Sequence, residues 1–145
     1  MMFIALFMSM TAAATGEASD EGAKWLSGAW YSVSVEEDGK IKAGEDRRDL
    51  HRLEGATWKH EVGGKAVLAG VFRIVETTER WIAVDFEVRE GERKGEVWKG
   101  ICKLKGDTLV WCGGFASRVE ARPESFATSP GDGYLLRIMR RVEGE

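Results

Sequence analysis

The sequence predicts an all-β domain folded as an up-and-down antiparallel β-barrel of about eight strands. Short β-rich runs alternate with Gly-containing turns throughout, and the 145 residues include 18 glycines but only two prolines. After residue 15, no stretch has its apolar residues at strong helical spacing. A sheet of that many twisted strands tends to close on itself or to split into two packed sheets. The length is that of one domain.

Four strands are predicted in the first half of the chain, at residues 29–36, 50–54, 56–62 and 65–75. Turns at Asp38-Gly39 and Gly63-Gly64 separate them, and Gly70 predicts a bend or bulge within the fourth. The polar residues 42–49 predict a short helical turn over one end of the sheet.

The second half has the clearest alternation. In residues 81–89, the apolar side chains of Ile82, Val84, Phe86 and Val88 share one strand face, and charged side chains occupy the other. Residues 97–104 and 109–112 predict a hairpin around Gly106, and residues 134–142 predict the last strand. The long irregular segment between Gly114 and Gly133 is expected to cover one mouth of the barrel.

The N-terminal residues have a different composition. Residues 3–14 are apolar and uncharged, and they end in small residues that offer an Ala-x-Ala cleavage site at Ala12-Ala13-Ala14. This pattern predicts a signal peptide over residues 1–14, a polar linker over 15–24 and the barrel domain over 25–145. Export to the periplasm, the cell surface or the medium follows. No Lys or Arg precedes the run, so an uncleaved anchor or an apolar tail stays open, although the run is too short for a stable membrane span.

Charge and motifs exclude several functions. With 21 basic and 24 acidic residues, the chain lacks the electrostatic footprint of a nucleic-acid-binding protein. It has no phosphate-binding loop, dinucleotide fingerprint or G-x-S-x-G nucleophile motif. We therefore predict a protein that is not an enzyme, with no catalytic residues, metal or cofactor.

The aromatic residues allow two interpretations. A barrel interior lined by them is expected to bind a small apolar or amphipathic ligand, or the same side chains fill the core and leave a protein-interaction module. The second interpretation predicts an exposed apolar patch between Gly113 and Phe126. The candidate ligand-binding residues are Trp30, Trp58, Phe72, Phe86, Trp98 and Trp111.

Cys102 and Cys112 lie on the two arms of the predicted hairpin. A turn at Gly106 places Cys102 opposite Val110 or Trp111, so the sequence favours two buried free thiols over a disulfide. The C-x-x-C spacing of redox motifs is absent.

His60 shares a predicted strand face with Trp58 and Val62. An interior histidine can ligate haem iron or a metal, which gives a third functional hypothesis. A single histidine without clustered Cys, Asp or Glu residues is more often a satisfied polar group.

A series of short motifs runs from about Trp25 to Arg141. The motifs are Leu26-Ser27-Gly28-Ala29-Trp30, Glu37-Asp38-Gly39-Lys40, Gly95, Gly100-Ile101, Lys105-Gly106-Asp107-Thr108-Leu109, Cys112, Arg122-Pro123-Glu124-Ser125-Phe126, Pro130-Gly131 and Arg140-Arg141. In their order and spacing they resemble an uncharacterised family of bacterial domains, best known from planctomycetes and described as lipocalin-like. The resemblance implies a lipocalin-like β-barrel, without implying catalytic residues.

The motif at Arg122 is expected to be structural, together with Cys112. Arginine suits fixed, bidentate pairing, so Arg122 is predicted to pair with a carboxylate of the barrel. Phe126, which follows Pro123 by three residues, is predicted to plug the end of the barrel.

Overall fold

The computed structural model describes residues 24–119 and 121–143, so the predicted signal peptide and nearly all of the polar linker lie outside the described residues. The described chain forms nine strands and almost no helix. The strands are β1 (Gly28–Glu37), β2 (Lys40–Ala43), β3 (Asp46–Glu54), β4 (Thr57–Val62), β5 (Lys65–Thr77), β6 (Ile82–Glu90), β7 (Val97–Lys105), β8 (Thr108–Phe115) and β9 (Leu135–Arg141).

Eight of these strands close into an antiparallel barrel. From β3 to β9 each strand pairs with the next, and β1 pairs with both β3 and β9, which completes the ring. The predicted fold class is therefore confirmed. The ninth strand, β2, pairs with the last residues of β1, Val35–Glu37, whereas β3 pairs with the first part of β1, Gly28–Ser32.

The predicted helical turn over residues 42–49 is wrong. Most of that segment is extended, in the end of β2 and the start of β3. Two strands that are both antiparallel to β1 can satisfy the backbone groups along that edge of β1, whereas a helical turn would leave them without partners. Strand pairing thus overrides the polar composition, and the side chains of β2 are all exposed.

Gly70 marks a bulge, as predicted. The pairing of β5 with β6 shifts register between Ala69 and Gly70. A Cβ atom at Gly70 would lie only 1.8 Å from the carbonyl oxygen of Glu87, so the absence of a side chain lets the two strands approach here.

One end of the barrel is closed by the chain that precedes β1. Leu26 is buried in the core, and its carbonyl oxygen accepts a hydrogen bond of 3.0 Å from the indole of Trp30. The guanidinium of Arg141 lies 4.2 Å from the centre of the Trp30 ring and donates to the carbonyl oxygen of Ser27 at 2.5 Å. We call this the closed end. The opposite end, which carries the β4–β5 turn and the β6–β7 loop, is the open end.

The long segment between β8 and β9 runs along the outer wall of the barrel and does not cover a mouth, which corrects the expectation from sequence. We call residues 116–119 and 121–134 the strap. Ile101 and Cys112 are paired residues on β7 and β8, and their neighbours along each strand face the interior. Their own side chains therefore point outward, yet both are fully buried. The strap covers this outward apolar surface, which would otherwise be exposed to water.

Arg122 fixes the strap to the wall. Its Nη1 donates to the carbonyl oxygens of Val84 and Gly100, each at 3.0 Å, and its Nη2 lies 2.7 Å from a carboxylate oxygen of Asp85. The expected pairing with a barrel carboxylate is therefore present. Phe126 does not plug the barrel end: its ring packs against Lys103, 4.6 Å from the ammonium, on the outer face of β7.

No helix in residues 24–119 and 121–143 has the length and apolar character needed to cross a membrane.

Candidate functional site

A buried polar cluster lies inside the barrel, among otherwise apolar side chains. Asp49 and His51 alternate along β3 and His60 lies on β4, while Ser32 and Arg137 come from β1 and β9. His51 and His60 are direct partners in the β3–β4 register, so their rings stack with centroids 4.2 Å apart and planes 7° apart. We call these five residues the polar cluster.

Asp49 is the centre of the cluster. One carboxylate oxygen lies 2.6 Å from Nε2 of His60, and the other accepts a hydrogen bond of 2.8 Å from Nη1 of Arg137. The same Arg137 nitrogen lies 3.2 Å from the hydroxyl of Ser32. Burial alone would raise the pKa of Asp49, but the hydrogen bond from His60 and the charge of Arg137 outweigh it and hold the pKa well below its usual range. Asp49 is therefore ionised.

His51 is neutral. Burial, reinforced by the positive charge of Arg137, holds its pKa well below the ordinary value. Its Nδ1 accepts a hydrogen bond of 3.2 Å from the indole N–H of Trp58, so the single proton of the neutral ring is on Nε2. That Nε2–H is buried and has no hydrogen-bond partner within the described part of the chain.

A small void adjoins the cluster on its apolar side. Its volume is about 30 Å³, and it is bounded by His51, Arg137, Trp58, Phe86, Trp98 and Trp111, with smaller apolar side chains between them. Pockets for drug-sized molecules measure roughly 300–1,000 Å³, whereas roughly 10–15 Å³ accommodates one water. The void therefore has room for one or two water-sized groups.

All six aromatic residues predicted to line the interior do face it, but they are not equivalent. Trp58, Phe86, Trp98 and Trp111 bound the void. Trp30 and Phe72 pack elsewhere in the same core. Five of the six rings, all except that of Trp30, pack against one another edge-on or tilted, as do Trp58 and Phe86, whose ring centroids lie 5.1 Å apart. Most of the interior is thus filled by side chains.

A metal ion does not fit the histidine–carboxylate group, although one potential ligand atom from each of Asp49, His51 and His60 lies within 4.8 Å of the others. Both oxygens of Asp49 already accept hydrogen bonds, and both nitrogens of His51 are committed, one to Trp58 and one to its own proton. The Arg137 guanidinium already compensates the Asp49 charge, so no net negative charge remains to hold a cation. A haem bound through His60 would also need far more space than the void offers.

Sequence reasoning missed Asp49, His51 and Arg137. The strict alternation Asp49, His51, Leu53 was the available signal, and it was hidden because residues 42–49 were predicted to leave the sheet. Arg137 is one basic residue among several near the C-terminus, and nothing local distinguishes it from Arg140, which is exposed.

The two cysteines are free thiols on opposite faces of the β7–β8 hairpin, as expected from sequence. Cys102 faces the interior opposite Trp111, while Cys112 lies beneath the strap, where its thiol donates to the carbonyl oxygen of Ala127 at 3.7 Å. Burial raises the pKa of Cys102 to about 12 and that of Cys112 to about 11, so neither is a reactive thiolate.

The apolar patch predicted between Gly113 and Phe126 is not found in the described part of that segment. Gly113, Gly114 and Phe115 are buried, as are Val119 and Pro123. The strap folds its apolar side chains onto the wall, which is why they are not exposed. Among residues 24–119 and 121–143, the large apolar side chains that are exposed lie elsewhere, at Trp25, Ile41, Val62, Val67 and Val75.

Comparisons of the chain with protein-family models, with curated proteins and with solved structures found no match.

Proposed function

We propose that the protein is an exported, lipocalin-like barrel that is not an enzyme and that binds a small amphipathic molecule in its interior. One observation carries the proposal: the void is bounded mainly by apolar and aromatic side chains, with His51 and Arg137 as its polar members. A mostly apolar boundary with a few polar groups is the pattern of small-molecule sites.

The open end offers the entry route. Leu68, Trp98 and Leu135 lie near the starts of β5, β7 and β9, which are at this end, and all three are only partly buried. Partly exposed side chains change rotamer at low cost, whereas the closed end is sealed by Leu26, Trp30 and Arg141. A ligand with more than two or three heavy atoms therefore enters by displacing these three side chains outward.

Membership of the lipocalin-like bacterial family is part of the proposal. It is supported by the motifs that resemble the family and by the closed eight-strand barrel, which is the lipocalin architecture. Export is supported by the apolar run at residues 3–14 and its Ala-x-Ala site. Absence of catalysis is supported by the chemistry of the cluster: its carboxylate is held ionised by two partners, and both cysteines are protonated.

The test is native mass spectrometry of the protein purified from its own periplasmic or secreted fraction. We expect a small mass that dissociates on denaturation, and a chain that starts after the predicted cleavage site at residue 14. A bare chain in every preparation, at concentrations that retain micromolar ligands, would contradict ligand binding. A chain that retains residues 1–14 would contradict the cleaved signal.

Two substitutions at one position give a matched comparison. Cys102 borders the void, so Cys102→Leu fills it and Cys102→Ala enlarges it. We expect co-purification of the ligand to be lost in the first variant and kept in the second. If both variants retain the ligand equally, the ligand does not occupy this void.

The second candidate is a protein-interaction module with a filled core. The observation that favours it is the size of the void, about a tenth of the smallest typical ligand pocket or less. It predicts that Cys102→Leu leaves the function intact, because nothing needs to enter the barrel. Capture of one stoichiometric protein partner, equally by wild type and Cys102→Leu, would support this candidate over ligand binding.

A further inference from the structure

Unpartnered hydrogen-bond donors are concentrated around the void. In residues 24–119 and 121–143, three buried side-chain nitrogens have no hydrogen-bond partner: Nε2 of His51 and the indole nitrogens of Trp98 and Trp111. All three residues border the void. Each unpaired buried N–H costs free energy, so a guest that accepts hydrogen bonds is favoured there.

The same boundary offers a guest no strong acceptor, only the weakly accepting sulfur atoms of Cys102 and Met139. None of its side chains carries an oxygen atom, and Nδ1 of His51 already accepts from Trp58. The nearest carboxylate, Asp49, is bonded through both oxygens to His60 and Arg137. A guest whose polar groups are all donors would therefore lose its hydrogen bonds to water on entering the void, and its donors would stay unsatisfied there.

Charge restricts the guest further. The charges of Arg137 and Asp49, 2.8 Å apart, compensate each other, so the site offers no net charge to attract either an anion or a cation. The rest of the boundary is apolar, and burying an unpaired charge there is expensive. The guest that fits is neutral and accepts through oxygen.

We infer that the void is an acceptor site for a neutral oxygen atom beside Nε2–H of His51. In the free protein that oxygen belongs to water, and in the complex it is the carbonyl or hydroxyl oxygen of the ligand. The water half of this inference stands independently, while the ligand half rests on the proposed function.

The first experiment detects the oxygen in the ligand-free protein. In the whole mature chain labelled with ¹⁵N, we expect the His51 proton on Nε2, with a nuclear Overhauser contact from that proton to a long-lived water. An unprotonated Nε2, or an Nε2–H whose contacts are all to protein atoms, would overturn the inference.

The second experiment compares four probes that each have four carbon atoms: 1-butanol, 2-butanone, butylammonium and butanoate. Binding is followed through the indole N–H signals of Trp98 and Trp111. We expect the alcohol and the ketone to bind at least tenfold more tightly than either ion. Equal or tighter binding of an ion would overturn the inference.

If none of the probes binds, the first experiment distinguishes the failure of the acceptor site from the failure of the proposed ligand-binding function. A bound water at His51 would then support the acceptor site while the proposed ligand-binding function fails. No probe and no water would overturn both.

Two variants test the role of Nε2 directly. An asparagine side chain reaches about as far as Nδ1 of histidine, and a glutamine about as far as Nε2. His51→Asn therefore keeps an acceptor for Trp58 but loses the deep donor, and we expect the tenfold preference for neutral oxygen probes to disappear. His51→Gln restores a donor at depth, and we expect part of the preference to return. Dispersed indole signals verify that each variant is folded. An unchanged preference in folded His51→Asn would overturn the assignment to His51.

Discussion

Asp49 shows how one residue couples four strands. Asp49 lies on β3, and its carboxylate is hydrogen-bonded to His60 on β4 and to Arg137 on β9. Arg137 in turn contacts Ser32 on β1, so the carboxylate links neighbouring parts of the barrel wall. The Asp49 and Arg137 side chains are 16% and 10% exposed, so this ion pair is screened little by solvent. Removing one partner of such a pair leaves the other buried and uncompensated.

We expect Asp49→Asn to lower the free energy of unfolding by about 3 kcal/mol, because Arg137 loses its counter-charge in the interior. Chemical denaturation at pH 7 measures this. The control is Glu45→Gln, whose partner Arg47 lies 3.6 Å away with both side chains more than half exposed. Its effect is expected to stay below about 1 kcal/mol. Equal losses in the two variants would contradict the buried role of Asp49.

Acidification is expected to destabilise the protein through His51. Its folded pKa lies well below the ordinary 6.5, so the unfolded chain binds the proton first, and stability falls as pH drops below about 6.5. The loss between pH 7 and pH 5 is expected to reach about 2 kcal/mol. The depressed pKa of Asp49 acts in the same direction but only below its ordinary 3.8.

Denaturation curves at pH 7 and pH 5 test this expectation. His51→Asn removes the titrating group while leaving His60, Asp49 and Arg137 in place, so its stability should change less between the two pH values. A wild type and a variant with the same pH dependence would show that His51 does not carry the effect.

At the scale of elements, the strap explains why a long irregular segment persists in so regular a barrel. Its hydrogen bonds reach β6 and β7 through Arg122, the β1–β2 turn through Thr128, and β8 through Ala127. These contacts hold the strap over the outward-facing apolar side chains of Ile101 and Cys112, which are buried beneath it. A segment held by a few polar contacts over a buried surface opens locally at lower cost than the strands beneath it.

Opening of the strap is expected to expose Cys112. Arg122→Ala removes two hydrogen bonds to carbonyl groups and the ion pair with Asp85, so the labelling rate of Cys112 by a thiol reagent should rise by about tenfold or more. Peptide mapping after timed labelling measures it, and Cys102 in the core should stay unlabelled.

Arg73→Ala is the matched control. Arg73 approaches the same carboxylate of Asp85 at 3.5 Å, but its side chain is 73% exposed, and this bond joins β5 to β6 instead of the strap to the wall. We expect the labelling of Cys112 in this variant to equal wild type. If Cys102 and Cys112 label in parallel in Arg122→Ala, the substitution has caused global unfolding and the strap has no separate opening.

At the scale of the molecule, the barrel has two unlike ends. The closed end is packed by Leu26 from outside the sheet and covered by Arg141 on Trp30. The open end has partly buried Leu68, Trp98 and Leu135. The polar cluster takes its β3 members from the middle of that strand, because Asp49 and His51 are its fourth and sixth residues out of nine. The asymmetry directs any exchange with solvent through one mouth.

The closed end is expected to contribute strongly to stability. Leu26 is 1% exposed, so Leu26→Ala leaves a cavity and should lower the free energy of unfolding by about 3 kcal/mol. Ile41→Ala is the control, since Ile41 is 64% exposed, and it should change stability by about 0.5 kcal/mol or less. Thermal and chemical denaturation compare the two. A negligible effect of Leu26→Ala would mean that the turn before β1 does not seal the barrel.

The fold could be predicted from the sequence because its signals are local. Alternation in residues 81–89 decides which side chains face inward, and Gly106 sets the register of the β7–β8 hairpin, so the positions of Phe86, Cys102 and Trp111 follow without knowledge of distant strands. Turn residues at Asp38-Gly39 and Gly63-Gly64 divide the chain into strands of barrel length, and closure follows from their number and twist.

Only the tertiary structure decided the site. Asp49 and Arg137 are 88 residues apart, and nothing in either neighbourhood specifies that the pairing of β9 with β1 brings them to 2.8 Å. The void has the same origin, since its volume is the small difference between the space that eight strands enclose and the volume of the side chains within it. Local patterns determine which residues point inward, whereas long-range pairing and packing determine which of them meet and how much space remains.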